Sequence, residues 1–152
     1  MSSAGRSPQP PLLFLGCLLL GAGLGFIHPL GLGLPLFIRL SVGALLLLLA
    51  AIHGGWGLLT FKRMGTTPEP NGVASVLLTS GPFRWTRNPL YLGLAILFVC
   101  FGVLLDSAWM LSLTPVLVLL LDRLVIAREE LRLRAQFGEA YESYTRRVRR
   151  WL

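Results

Sequence analysis

The chain of 152 residues is short of charged side chains, histidines and cysteines. Only 14% of its residues are charged, whereas a soluble globular domain usually has about 25%. Its 54% content of hydrophobic residues excludes an intrinsically disordered chain. Two cysteines provide no disulfide framework, and two histidines, His28 and His53, provide no metal-ligand spacing, so no metal site is predicted. This composition predicts an integral membrane protein that forms a single domain.

Four apolar stretches are candidates for helices that span a bilayer, which needs about 20 mainly apolar residues. They cover residues 11–27, 40–61, 88–105 and 107–121. The last stretch is long enough only if its helix continues through Asp122 and Arg123 to about Ala127. Asp106 and Ser107 separate the third and fourth stretches, which predicts an antiparallel helical hairpin with a tight turn. We therefore expect about four transmembrane helices.

The basic residues lie mostly on one side of these predicted helices. The chain has 14 Lys and Arg against 7 Asp and Glu, a net charge of +7. One side has only Arg39, and the other has Arg6, the basic residues of loop 62–87 and the arginines after the fourth helix. Since positive residues collect in cytoplasmic loops, both termini are predicted to be cytoplasmic, in what we expect to be a bacterial inner membrane. The charge thus indicates topology rather than nucleic-acid binding. A signal peptide with Arg6 as its positively charged n-region is the alternative for the first stretch.

A first motif precedes and begins the third predicted helix. Asn is a preferred N-cap and Pro a preferred first helical residue, so the helix should start at Asn88 and Pro89. A helix N-terminus attracts carboxylates and phosphates, and Arg84 and Arg87 lie just before this one.

Two further residues of this motif lie near the start of the helix, Tyr91 in its first turn and Gly93 two residues later. Tyr91 brings a hydroxyl, and Gly93 allows another backbone or a flat ligand to approach closely. The alternative is an anchor at the level of the lipid headgroups, made of Trp85, Tyr91 and the arginines.

A second motif consists of charges at the end of the fourth apolar stretch, where they are costly and indicate a site. Adjacent helical residues point about 100° apart, so Glu129 and Glu130 cannot share a face. Glu130 aligns with Ile126, Leu133 and Phe137, which predicts a carboxylate buried in an apolar stripe. The alternative is an exposed helix on which both glutamates pair with arginines three or four residues further on.

The C-terminal region predicts an amphipathic helix on the cytoplasmic side. Phe137, Tyr141, Tyr144 and Val148 recur on one helical face. Four arginines and Trp151 follow or flank this stripe and suit an anionic membrane surface. The sequence leaves open whether this helix docks on the membrane surface or on the core of the protein.

The order of these motifs resembles the isoprenylcysteine carboxyl methyltransferase family, which is related to the phospholipid methyltransferases. The resemblance is carried by Arg87-Asn88-Pro89-x-Tyr91-x-Gly93, a helical hairpin, Glu129-Glu130 and Phe137-Gly138-x-x-Tyr141-x-x-Tyr144. It covers residues 62–152, which would form the cofactor-binding part, whereas residues 1–61 match only as two apolar helices.

The resemblance implies an all-α membrane enzyme that transfers a methyl group from S-adenosylmethionine to a lipophilic acceptor. The cofactor-binding residues that it implies are Arg87, Asn88, Pro89, Tyr91, Gly93, Glu129 and Glu130. Asn88 stands where histidine is common in the family, so hydrogen bonding is kept and any role of an imidazole is lost. The helix start with Arg87 suits the carboxylate of the cofactor, and Glu129 or Glu130 suits its ammonium.

The acceptor is left open by the sequence. A prenylated cysteine carboxylate, a lipid amine and a small thiol are equally compatible with it. If the acceptor is a carboxylate, a cation must orient it, and Arg123 and Arg84 are the candidate catalytic residues. The expected partners are a lipophilic or lipidated substrate and membrane lipids, and the sequence predicts no oligomeric state.

Two other functions are compatible with the pattern. Membrane sterol reductases share a related cofactor-binding half, but they are much longer, and the two glutamates suit an ammonium better than the phosphate of a nicotinamide cofactor. A non-catalytic membrane scaffold with basic cytoplasmic surfaces would use both motifs as ordinary interface anchors.

Overall fold

The computed structural model describes residues 8–67 and 75–152, and every regular element in these ranges is helical. The elements are α1 (Pro10–Ile27), α2 (Leu36–Arg63), a 3-10 helix (Gly81–Arg84), α3 (Pro89–Leu104), α4 (Ala108–Leu120), a π-helical segment (Leu121–Ile126), α5 (Ala127–Phe137) and α6 (Glu139–Arg147). The prediction of an all-α membrane protein is confirmed. Arg6, which the topology prediction used, lies outside the described residues.

Within residues 8–67 and 75–152, three helices are long and apolar enough to cross a membrane. They are α1 with 18 residues, α2 with 28 residues, and the continuous helix 108–137 with 30 residues, which joins α4, the π segment and α5. The fourth apolar helix therefore continues through Asp122 and Arg123, as predicted, and ends ten residues later than the predicted Ala127, at Phe137.

Helix α3 is shorter than the other apolar helices. Its 16 residues span about 24 Å, less than the roughly 30 Å of a hydrocarbon core. It packs against α2, α4 and α1, and it buries residues such as Phe98 and Cys100 almost completely. Because its neighbours enclose it, α3 does not have to match the bilayer thickness along a lipid-facing surface.

Gly93 lies where α2 and α3 approach most closely. A Cβ atom added at Gly93 would lie 2.9 Å from the backbone nitrogen of Gly54 and 3.1 Å from the carbonyl oxygen of Ala50. Of the two partners that the sequence allowed for this glycine, a backbone or a flat ligand, the structure places a backbone there. Gly93 therefore sets the position of α3, and with it the position of the residues that precede α3.

The turn between α3 and α4 is tight, as predicted. The Ser107 N–H donates to the carbonyl of Gly102 at 2.9 Å, and the Ser107 hydroxyl accepts from the Met110 N–H at 3.4 Å. Asp106 has a φ of 54° and lies 4.0 Å from Arg39. This pair is at the end of the molecule that carries little basic charge.

The predicted C-terminal stripe docks on the protein. Tyr141 and Tyr144 are buried against Leu78 and Phe83, and Phe137 and Val148 pack around this cluster. Gly138, with a φ of +50°, separates α5 from α6 in a conformation that glycine adopts readily. The sequence left open whether this stripe docks on the membrane or on the core of the protein, and in the structure it packs on the core.

Candidate active site

A cleft opens beside α5, where the end of α2, segment 75–83 and α6 meet. Its empty space, with the open mouth and the adjoining solvent included, is about 750 Å³. One wall is apolar and consists of Phe61, Val76, Leu77, Leu78, Phe83 and Leu133. The polar lining consists of Thr67, Arg87, Asn88, Glu129, Glu130, Arg132, Gln136, Tyr141 and Tyr144.

Glu130, one of these lining residues, is held between two arginines. Its Oε1 atom lies 3.0 Å from Nη1 of Arg87, and its Oε2 atom lies 2.5 Å from Nη2 of Arg150. Arg150 Nη1 also donates to both carboxylate oxygens of Asp122 at 3.1 Å. Glu130 is only 7% exposed, so water contributes little to stabilising its charge, and the two guanidinium groups take that role.

Residues 148–152, which we call the C-terminal strap, run beside the start of α3. The backbone N–H of Arg87 donates to the carbonyl of Arg149 at 3.0 Å. The Asn88 amide and the Thr86 hydroxyl donate to the carbonyl of Arg150 at 2.9 Å and 3.1 Å. Asn88 does precede α3, as predicted, but its side chain holds the strap and makes no capping bond in the described structure.

Glu129 has a different environment from its neighbour. The Tyr91 hydroxyl donates to Glu129 Oε2 at 3.0 Å. Glu129 lines the cleft, whereas Tyr91 is buried behind it and outside the lining. Tyr91 thus orients a carboxylate that faces the cleft.

Two tyrosines of α6 complete the inner wall. The Tyr144 hydroxyl donates to the carbonyl of Phe83 at 2.7 Å, which fixes the 3-10 helix against α6. Burial raises the pKa of Tyr141, and the nearby Glu130 raises it further, while Arg87 opposes the shift. The Tyr141 hydroxyl therefore stays protonated at neutral pH and is available as a hydrogen-bond donor.

A family model of the phospholipid methyltransferases matches residues 38–140, which is more than half of the chain. The chain belongs to the phospholipid methyltransferase family. An uncharacterized protein from Haemophilus influenzae is 34% identical over 63 residues, which cover 41% of this chain and all of that protein. No solved structure matches the chain. The resemblance inferred from the motifs is confirmed, and the family is one of membrane methyltransferases.

The structure brings part of the predicted site of this methyltransferase together. Arg87, Asn88, Glu129 and Glu130 all line the cleft, although they come from two regions about 40 residues apart in the chain. The remaining predicted cofactor residues belong to α3 and lie outside the lining. These are Pro89, the buried first residue of α3, Tyr91 behind Glu129, and Gly93 against α2.

The two predicted catalytic arginines lie outside the cleft lining. The side chain of Arg123 is 74% exposed, and its Nε atom is 3.8 Å from Asp122. Arg84 ends the 3-10 helix and is also exposed.

Arg150 is the residue of this methyltransferase that the sequence interpretation missed. It belongs to a run of arginines that suits a membrane surface, and nothing in the run distinguishes it. Asp122 is the feature of the sequence that indicates a nearby cation, because an acidic residue at the end of an apolar helix needs one. That signal does not tell which arginine supplies the charge.

Proposed function

We propose that this chain uses S-adenosylmethionine to methylate a lipophilic acceptor, with the cofactor in the cleft beside α5. The observation that carries the proposal is Glu129, a carboxylate held by Tyr91 in the lining of the cleft. Carboxylates recognise cations, and the cofactor has two cationic groups close together, an ammonium and a sulfonium.

The chemistry of the lining fits the cofactor. The apolar wall suits an adenine ring, and two cations of the lining, Arg87 and Arg132, suit its carboxylate. The Nε atom of Arg87 is buried and has no hydrogen-bond partner among the described residues, so this side chain has a donor left to offer.

We assign the ammonium of the cofactor to Glu129 rather than to Glu130. Glu130 already has two guanidinium partners, Arg87 and Arg150. An added ammonium would have to compete with both of them in a buried position. Glu129 instead accepts from the neutral hydroxyl of Tyr91, and the cation that acts on it is Arg132, which itself lines the cleft. The choice of Glu129 over Glu130 thus follows from the different partners of the two carboxylates.

Catalysis by these residues consists mainly of positioning and exclusion of water. When bound, the cofactor supplies an electrophilic methyl group on its sulfonium sulfur. Glu129 stabilises positive charge in the cleft, the apolar wall excludes water, and the tyrosines behind the lining keep the side chains in place. In-line displacement at a methyl group needs no covalent intermediate on the protein, so no nucleophile is required.

The acceptor is proposed to enter from the bilayer. The cleft lies at the basic end of the apolar helices, which we place on the cytoplasmic side of a bacterial inner membrane. Arg84 and Arg123 are exposed at this end, and we propose that they attract an acidic group of the acceptor outside the cleft. A prenylated carboxylate and a lipid amine with an acidic headgroup both fit this role.

Transfer of a labelled methyl group tests the proposal. Detergent-purified protein is incubated with methyl-labelled S-adenosylmethionine and a bacterial lipid extract, and the organic phase is counted. We expect label in the lipid fraction with the wild-type protein and a large loss with Glu129→Gln. If the folded wild-type protein transfers no label and binds no cofactor, the result favours a non-catalytic membrane subunit.

A further inference from the structure

We infer that Arg150 is a positioning residue for the cofactor site, which it organises by bridging Asp122 and Glu130. The inference rests on the proposed function and adds to it a residue that none of the family motifs contains. Arg150 lies beyond the region matched by the family model, which ends at residue 140. It is nevertheless bonded to Glu130, which holds Arg87 at the cleft.

The bridge depends on the π-helical segment. In an α-helix, residues eight positions apart are turned by about 80° from one another, so Asp122 and Glu130 would face different directions. A turn of π-helix contains more residues than an α-helical turn and so rotates less per residue. The π segment Leu121–Ile126 contains Asp122 and lies before Glu130, and it thereby turns the two carboxylates toward one face. One guanidinium group then reaches both of them.

Arg150 supplies one of the two shielded positive charges of this cluster, since Arg123, 3.8 Å from Asp122, is 74% exposed. Arg87 and Arg150 contribute two positive charges, and Asp122 and Glu130 contribute two negative charges. The hydrogen bond to Glu130 raises the pKa of Arg150, so the guanidinium stays charged at every working pH. Without it, Glu130 would keep Arg87 as its ion-pair partner among the described residues, and Asp122 would keep the exposed Arg123.

The backbone of the strap couples this cluster to the start of α3. The carbonyls of Arg149 and Arg150 hold the Arg87 N–H and the Asn88 amide. The Trp151 indole adds a hydrogen bond to Asp122 at 3.1 Å. Docking of the Arg150 side chain therefore also fixes the backbone that orients two residues of the cleft lining.

Cofactor binding to Arg150 variants tests the inference. Calorimetric titration with S-adenosylmethionine should show about tenfold or greater weakening in Arg150→Ala, the loss expected when charge-assisted hydrogen bonds are removed. Arg150→Lys should restore only part of the affinity, because one ammonium cannot replace a planar fork that reaches two carboxylates. Arg147→Ala is the matched control, since Arg147 bonds only to its own helix at Ser143 in the described contacts.

Rescue by a small cation separates positioning from general stability. Millimolar methylguanidinium should restore binding to Arg150→Ala and leave the Arg147→Ala control unchanged. Weakened binding that methylguanidinium does not restore, together with a lowered melting temperature, would make Arg150 a structural residue only and overturn the inference.

Two further outcomes are distinguishable. If Arg150→Ala binds the cofactor as the wild type does while Glu129→Gln does not, the inference is wrong and the proposed function stands. If the folded wild-type protein does not bind the cofactor, both are wrong. Should Arg150→Ala fail to fold, Asp122→Asn removes one half of the bridge and should weaken cofactor binding several-fold, whereas unchanged affinity would overturn the inference.

Discussion

Glu129 and Glu130 are neighbours in the chain, yet their carboxylates have different partners and face different surroundings. Glu130 is buried between Arg87 and Arg150, whereas Glu129 accepts a hydrogen bond from Tyr91 and lines the cleft. The rotation of about 100° between adjacent helical residues produces this division. It gives one glutamate a role in holding the site together and leaves the other for a ligand.

The two glutamates should therefore respond differently to the same substitution. Glu130→Gln leaves Arg87 and Arg150 without their shared counter-charge and should lower the free energy of unfolding by about 2–3 kcal/mol, less than for a fully buried pair because Arg150 is partly exposed. Glu129→Gln should change thermal stability little but abolish most cofactor binding. Thermal unfolding in detergent and calorimetry check this, and equal effects of the two variants on stability would contradict it.

Removal of the Tyr91 hydroxyl tests how Glu129 is oriented. Tyr91→Phe removes the 3.0 Å hydrogen bond and should weaken cofactor binding about fivefold, equivalent to about 1 kcal/mol. The matched control is Trp109→Phe, which removes the indole hydrogen bond to the carbonyl of His28 at the other end of the molecule. An affinity loss of the same size in the control would show that the effect is not local to Glu129.

The close approach of α2 and α3 makes Gly93 sensitive to any side chain. Gly93→Ala would place a Cβ 2.9 Å from the backbone of Gly54 and should lower the melting temperature clearly. Gly23→Ala is the matched control, because no described atom lies within 4 Å of a Cβ added there. Equal melting temperatures for the two variants would contradict the packing that the structure describes.

The exposed arginines should affect the acceptor and not the cofactor. Arg123→Gln and Arg84→Gln should leave the affinity for S-adenosylmethionine unchanged and raise the KM for an acidic lipid acceptor. Methyl-transfer kinetics at a saturating cofactor concentration measure this. A loss of cofactor affinity in either variant would place these arginines at the cleft, against their exposure in the structure.

The positions of the ends of the helices predict a membrane topology. A reporter fused after Leu152 should be cytoplasmic, and one inserted at the turn between Asp106 and Ser107 should lie on the opposite side. Enzymatic reporters that are active on one side only provide the measurement. The same location for both reporters would contradict a membrane-spanning helix 108–137.

The helices and the separation of the two glutamates could be predicted from the sequence. Apolar length predicts helices, Asn88 and Pro89 mark the start of α3, and the helical rotation predicts the burial of Glu130. These features depend on residues that are close in the chain.

The bridge by Arg150 and the cleft itself could not be predicted in this way. Arg150 reaches Glu130 and Asp122 across 20 and 28 residues, and the contact depends on a π-helical segment that no pattern of apolar residues reveals. The cleft has walls from α2, segment 75–83, α5 and α6, so it exists only after these elements dock. The exposure of a side chain cannot be read from the sequence either, and the structure places Arg84 and Arg123 outside the cleft lining.

Equilibrium binding of S-adenosylmethionine to the detergent-purified protein tests the central claim most directly. Calorimetry of the wild type and of Glu129→Gln, with Glu139→Gln as an exposed acidic control at the start of α6, compares the same loss of charge at two positions. We predict saturable binding to the wild type and to the control, and loss of most of the affinity in Glu129→Gln. Equal binding by all three proteins, or none by the folded wild type, would contradict the assignment of the cofactor to this cleft.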